Sequence, residues 1–422
     1  LAADQCAAGG AADVKSLLLL LLLPLLATAA DPWQLEKVVE ISRHGVRPPT
    51  AANRAEIEAA TQRPWPRWST PDGELTGHGY SAVVNKGRWQ GDYYRQAGLL
   101  RAGCPDSRQI YVRASPLQRT RATAQALTDG AFPGCGVPVH AVADAPDPLF
   151  QSETFPFART DAAREQAAIA ERAGDLAALQ QRLQPVIRQL NAAVCDGECR
   201  FFSRPWQLKQ TRNGHSYVQG LSVMASMVET LRLGWSENLP PEALAQGRLT
   251  SAQHITALLP LLTANYDLSN DVPYLAQKRG SLLLDAAIAA LEDRPGSPDT
   301  RWLLLVAHDT NIAMVRTLMH FSWQLPGYAR GNIPPGSSLV FERWRDTRDN
   351  SRQLRIYFQA QSLDALRQLT PVDRLHPLLQ AEWHQPDCHN SAVGTLCPYQ
   401  STLAQLRQGV DSNALAPVTW AP

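Results

Sequence analysis

Between residues 42 and 50 the chain reads Ser42-Arg43-His44-Gly45-Val46-Arg47-Pro48-Pro49-Thr50, a histidine flanked by two arginines. Two guanidiniums beside an imidazole suit a phosphate: the planar forks match its oxygens, and the ring can attack it or carry a proton. A surface loop with incidental charge is the plainer reading. Yet Arg-His-Gly-x-Arg-x-Pro fixes five positions, and chance supplies that in roughly one chain of this length in ten thousand. Downstream, His308-Asp309-Thr310-Asn311 couples an imidazole to a carboxyl. Such a pair occurs by chance about once per chain of this length, so its weight comes from where it stands. A third cluster, Ala114-Ser115-Pro116-Leu117-Gln118-Arg119-Thr120-Arg121, carries two more arginines.

All three segments follow apolar stretches that read as strands. Leu35–Ile41 precedes the first, Gln109–Arg113 the arginine cluster, and Trp302–Ala307 the His-Asp pair. Strand ends of one open α/β sheet are where ligands bind. Gly45 is expected to let the backbone turn tightly and Pro48-Pro49 to stiffen the exit. An arginine at a helix start is by itself usually solvated, and Arg121 is expected to salt-bridge. Residues 51–72, with Pro64, Trp65, Pro66 and Trp68, read as a rigid aromatic loop that either walls the pocket or packs down. Leu75–Leu100 reads as a helix from the spacing of Tyr80, Val83, Val84, Trp89, Tyr93 and Leu99. His78 near its start, and His215 and His254 later, read as structural or surface histidines.

From 151 to 285 the character changes to helical periodicity, over 160–194, 221–234, 251–264 and from Tyr274 onward. The reading is a helical subdomain at 151–285 inserted into an α/β domain made of 31–150 and 286–422. A helix at Ile312–Met319 and strands at Ser337–Trp344 and Leu354–Gln361, joined through Asp349-Asn350-Ser351, complete the pattern.

The 422 residues, 44% hydrophobic, can bury a large core, and a net charge of +1 gives no bulk attraction to nucleic acid or membrane. Residues 17–26 form a Leu-rich run too short to span a bilayer, followed by Ala27-Thr28-Ala29-Ala30. That is a signal-peptide pattern, residues 1–30 being leader and upstream extension, with Val14 as the expected true start. Its removal takes Cys6 and leaves Cys104, Cys135, Cys195, Cys199, Cys388 and Cys397, an even set that in an exported chain reads as disulfides. Six cysteines allow fifteen pairings. His384-x3-Cys388-His389-x7-Cys397 would suggest zinc in a cytosolic protein, but a disulfide suits an exported one better. Walker-type phosphate loops, dinucleotide glycine fingerprints and metalloprotease helices are absent.

The Arg-His-Gly stretch and the late His-Asp resemble the two signatures of the histidine acid phosphatases, a branch of the phosphoglycerate-mutase-like superfamily. Within it the chain is similar to bacterial periplasmic phytases of the Klebsiella type. The resemblance implies an α/β fold with a mixed, mainly parallel central sheet flanked by helices. It implies sequential disulfides, Cys104–Cys135, Cys195–Cys199 and Cys388–Cys397. It assigns His44 as nucleophile through a phosphohistidine, Asp309 as general acid, and Arg43, Arg47, Arg119 and His308 as phosphate ligands. Thr50 matches a substrate-contacting position, Ala51 stands where a relative often has lysine, and Glu229 is the candidate for an acidic pocket residue. The arginines do what magnesium does elsewhere, so no metal cofactor is expected. They should push the His44 pKa down, whereas a bound phosphate should push that of Asp309 up.

The expected protein is a periplasmic monomer that takes small phosphomonoesters, and neither nucleic acid nor, once the leader is cut, membrane. His-Asp-Thr-Asn resembles the phytases, so myo-inositol hexakisphosphate is the expected substrate. A glucose-1-phosphatase or broad acid phosphatase is the alternative. A mutase would lack leader and disulfides, and a non-catalytic phosphate-binding protein would be expected to have lost His44 or Asp309.

Overall fold

The structure, a computed structural model, describes residues 32–421. The leader, the expected start at Val14 and Cys6 lie outside the described residues. The first element is β1 (Trp33–Arg43), whose Val38, Val39 and Ile41 are fully buried. Burial on both faces is what a central strand of a helix-covered sheet requires. Then come α1 (Ala51–Thr61), α2 (Gly77–Gln96), β2 (Ile110–Ala114) and α3 (Gln118–Ala131). A mostly helical stretch follows. It holds α4 (Ala162–Ala173), α5 (Leu176–Arg182), α6 (Gln184–Val194) and a hairpin of β3 (Gln207–Gln210) and β4 (Ser216–Gln219). It continues through α7 (Leu221–Ser236), α8 (Pro241–Ala245), α9 (Ala252–Leu258), α10 (Pro260–Asp267) and α11 (Pro273–Leu291). The chain then returns to the sheet with β5 (Trp302–Ala307), α12 (Asp309–Leu318), β6 (Ser338–Asp346) and β7 (Arg352–Ala360). It ends with α13 (Leu363–Gln368), β8 (Leu379–Glu382), β9 (His389–Ser391), β10 (Gly394–Pro398) and α14 (Tyr399–Gln408).

The strand order is β2-β5-β1-β6-β7-β10-β9, with β8 on β7. Among the described strands β2–β5 and β5–β1 pair parallel, and the other strand pairings of this sheet are antiparallel. The sheet is mixed, as expected, but mainly antiparallel rather than mainly parallel. The late strands return through short turns such as the β6–β7 hairpin, and such turns join only antiparallel neighbours. Alternation along β5 divides the core. Leu303 and Leu305 join Val39, Ile41, Ile187, Leu190 and Met224 on one face, whereas Trp302, Leu304 and Val306 join Val38, Val112, Ala124 and Leu127 on the other. The inserted helices thus share one continuous core with the sheet.

Several local expectations change. Residues 251–264 form two helices because Pro260 cannot continue the first. Residues 160–194 form three, broken at Gly174 with φ +60° and again before Pro185. The aromatic loop at 51–72 opens with α1, which Thr50 caps. Trp65 is buried with its indole N–H on Thr61 Oγ1 at 2.9 Å, so it packs this segment down and does not wall the site. Arg121 is exposed, with no ion pair among the described residues. His78 bonds the Leu366 carbonyl at 2.8 Å. Bridges join Cys104–Cys135, Cys195–Cys199 and Cys388–Cys397, with Cα separations of 5.3, 6.1 and 4.1 Å.

One buried ion pair braces the site from behind. Lys86 Nζ donates to Glu40 Oε1 at 3.0 Å, to the Gly336 carbonyl at 2.9 Å, and to Ser338 Oγ. The Gly336 N–H in turn donates to the His44 carbonyl at 2.8 Å. Lys86→Met leaves Glu40 as an uncompensated buried carboxylate. It is expected to cost about 3–5 kcal/mol, read as a lower denaturant midpoint at unchanged slope.

Candidate active site

Register alone brings the three segments together. Arg43 pairs with Ala307 and Ala114 with Val306, so β1, β2 and β5 end level with one another. The His44 N–H then donates to the Ala307 carbonyl at 3.1 Å, and the Ser115 N–H to the Val306 carbonyl at 3.0 Å. His44 and His308 consequently sit with ring centroids 5.8 Å apart. Gly45 does not sit at positive φ. Its role is close approach: a Cβ there would lie 2.9 Å from Leu75 Cδ1 and 3.0 Å from Val83 Cγ2, pushing the loop off α2. The Gly45 N–H is held by Thr123 Oγ1 at 2.9 Å.

His44 Nδ1 lies 2.8 Å from the Gly45 carbonyl. A carbonyl only accepts, so Nδ1 carries the proton and the lone pair is on Nε2. His44, Arg47, Arg119, His308 and Asp309 line one cavity of about 370 Å3. Helix α12 begins at Asp309, three residues earlier than expected, so its first turn opens onto this cavity and favours an anion. Asn311 fixes that turn. Its Oδ1 accepts the His308 N–H at 3.0 Å and its Nδ2 donates to the Phe150 carbonyl at 3.0 Å. His308 Nε2 lies 2.9 Å from Ser115 Oγ.

Arg43 sits behind the cavity, fully buried, donating to the Ile333 carbonyl and to Glu229 Oε1, each at 2.5 Å. Glu229 also takes Arg232, whose other nitrogen bonds Asn332 Oδ1 at 2.6 Å. Glu229 thus bridges two arginines, and it is not on the cavity wall. Thr50 is not on that wall either; its Oγ1 accepts the Asn53 N–H at 3.2 Å. Arg47 bonds the Pro48 carbonyl at 2.9 Å and Arg119 the Gly73 carbonyl at 3.2 Å. The Nε atoms of Arg43, Arg47 and Arg119 are buried with no acceptor among the described residues. Donors left in that state suit an incoming anion.

Charge follows from this packing. Burial, and then Arg43, Arg47, Arg119 and His308, hold the His44 pKa well below its usual value. The ring therefore stays neutral and nucleophilic in mild acid. Burial beside Arg119 and Arg43 draws Arg47 down to about 10, still a cation at working pH. Burial and Arg119 also lower His308. Burial alone would raise Asp309, but Arg43, a hydrogen bond from Tyr266, Arg47 and His308 outweigh it and hold the carboxyl low. In the unliganded chain both His308 and Asp309 are thus held toward lower pKa. A phosphate entering among the arginines acts the other way on both by adding negative charge.

Sequence reasoning missed Ser115, Thr123, Tyr266, Arg279 and Asn311. Ser115 and Asn311 lie inside the quoted motifs and were within reach. Tyr266 and Arg279 come from the helical stretch, with no local signal. Arg279 reaches the same cavity from α11, anchored on Glu165 Oε2 at 2.8 Å, with His215 Nδ1 3.0 Å away.

Known proteins resemble this chain over most of its length. The model of the histidine phosphatase superfamily (branch 2) matches residues 34–359. Phytase AppA of Escherichia coli (strain K12) is 31% identical over 407 residues, covering 89% of this chain and 93% of the relative. Glucose-1-phosphatase of Salmonella typhimurium is 30% identical over 388 residues, covering 88% and 91%. Among solved structures, Klebsiella sp ASR1 phytase matches with a TM-score of 0.90 at 62% identity, over 92% of this chain and 100% of that one. Hafnia alvei phytase in complex with myo-inositol hexakis sulphate gives 0.82 at 28% identity, over 92% and 99%. Agreement of this extent, in sequence and in backbone, places the chain: it belongs to branch 2 of the histidine phosphatase superfamily.

Proposed function

We propose that this protein is an acid phosphatase that hydrolyses phosphomonoesters of myo-inositol hexakisphosphate through a phosphohistidine. The observation that carries the reading is the commitment of His44 Nδ1–H to the Gly45 carbonyl, with Nε2 left for the cavity that Arg47, Arg119, His308 and Asp309 share. In the first half-reaction Nε2 attacks phosphorus, the P–O bond to the inositol breaks, and protonated Asp309 gives its proton to the departing oxygen. Arg43, Arg47, Arg119 and His308 balance the charge on the three remaining oxygens. In the second half, Asp309, now a carboxylate, takes a proton from water, which attacks phosphorus and breaks the P–N bond. Phosphate leaves and both residues are restored.

Preference for the hexakisphosphate over a sugar phosphate is supported by Arg279 on the cavity wall. Such a substrate keeps further phosphates to place once one is bound, whereas glucose 1-phosphate has none. The glucose-1-phosphatase relative keeps the second substrate in play. Among the described residues no helix is long and apolar enough to cross a membrane. The leader pattern at residues 17–30 and the three disulfides support reading the chain as exported to the periplasm, and we take it to act as a monomer.

The test is phosphate release from phytate and from glucose 1-phosphate, side by side, in EDTA at about pH 4.5. Strong release from phytate, unchanged by EDTA, is expected. Preference for glucose 1-phosphate would move the substrate to the sugar phosphatases; dependence on a divalent cation would refute the arginine-only electrostatics.

A further inference from the structure

We infer that Tyr266 is a positioning residue for Asp309: its hydroxyl holds one carboxylate oxygen and thereby sets the pH at which the general acid loses its proton. The inference rests on the phosphatase reading above and adds a residue outside both strand-end motifs.

Tyr266 lies near the end of α10, 4% exposed, and its hydroxyl donates to Asp309 Oδ2. Asp309 Oδ1 accepts no hydrogen bond among the described residues, which leaves it as the oxygen for the cavity. Both the backbone and the ring of Tyr266 are held. The Tyr266 carbonyl accepts the N–H of Asn270 at 3.1 Å and of Asp271 at 2.9 Å as α10 ends. Asp271 grips Arg316 through both oxygens, at 2.9 and 2.6 Å, and the Arg316 guanidinium lies 5.7 Å from the Tyr266 ring centroid. The hydroxyl is therefore a fixed point to which the Asp309 carboxyl must conform.

The charged groups around this contact come from several elements. Arg43 at the end of β1, Arg47 in the loop after it, Arg119 from α3 and His308 at the head of α12 face Asp309, while Arg43 and Glu229 face the phenol. Burial first, and then Asp309, keep the phenol protonated. A hydroxyl that donates to a carboxylate favours the ionised acid. Asp309 must be protonated to expel an alkoxide and ionised to activate water. Tyr266 tilts that balance toward the second state, and so confines turnover of poor leaving groups to more acid pH.

Tyr266→Phe removes one oxygen and keeps the ring under Arg316. Its kcat at saturating phytate, followed from pH 3 to 8 and so reporting the substrate complex, should show the alkaline limb displaced upward by about one pH unit. p-Nitrophenyl phosphate, whose leaving group needs no proton, should show no such displacement. Incorporation of 3-fluorotyrosine at position 266 strengthens the donor and should move the phytate limb the other way, which provides a test even if Tyr266→Phe folds poorly. Limbs that coincide with the wild type in both variants overturn the inference. So does an equal loss on both substrates at every pH, which is the mark of packing alone. A wild-type chain that releases phosphate from neither ester instead overturns the phosphatase reading, and this inference with it.

Discussion

His44→Ala should release no phosphate above background, a loss of at least about 10^4-fold on phytate and on p-nitrophenyl phosphate alike. The equality matters. Both esters need the same nucleophile whatever their leaving group, and no other buried imidazole can take its place. His308 presents its Nε2 to Ser115 at 2.9 Å and lies on the far side of a 5.8 Å ring separation. With labelled substrate quenched into alkali, where a phosphoramidate bond survives, the wild type should carry label on His44 and the variant none. Activity retained in the variant would refute the covalent route.

Asp309→Asn should separate the two substrates. Proton delivery to an inositol oxygen is worth about 10^2 to 10^4 in rate, and phytate turnover should fall by that much. The first half-reaction with p-nitrophenyl phosphate, followed as the burst of nitrophenolate, should slow by less than about tenfold, because nitrophenolate leaves without a proton. Equal losses from both esters in that first step would remove Asp309 as the general acid. The sign of the pH dependence follows from the surroundings of the carboxyl. Arg43, the Tyr266 hydroxyl, Arg47 and His308 together hold Asp309 low despite its burial. A bound phosphate opposes them, so the acid keeps its proton only while substrate occupies the arginines. Turnover should decline as pH rises and Asp309 ionises in the complex.

The motifs were legible because each is local. Arg43-His44-Gly45-x-Arg47 and His308-Asp309 sit at the ends of apolar strands, and strand ends of one parallel array meet by register, Arg43 against Ala307. Arg119, in the first turn of α3 after β2, was singled out only through the family resemblance, because an arginine at a helix start is by itself usually solvated. Legibility failed where a role depends on what arrives from elsewhere. Gly45 suggested a tight turn but answers to Leu75, just before α2, and to Val83 on it, neighbours that no local pattern announces. Trp65 suggested a pocket wall but closes on Thr61. Thr50 is used as a helix cap, and Glu229 acts from behind, through Arg43.

By itself the sequence marked out the residues proposed to react and the strands that carry them, because Arg-His-Gly-x-Arg-x-Pro is improbable by chance and strand ends are marked by their own apolar runs. Tertiary structure alone decided the balance of charge around them. Glu229 and Arg232 from α7, Tyr266 from α10 and Arg279 from α11 reach the site across a shared core. Their effect falls steeply with distance, and no spacing along the chain encodes a distance between elements that meet only when that core is packed.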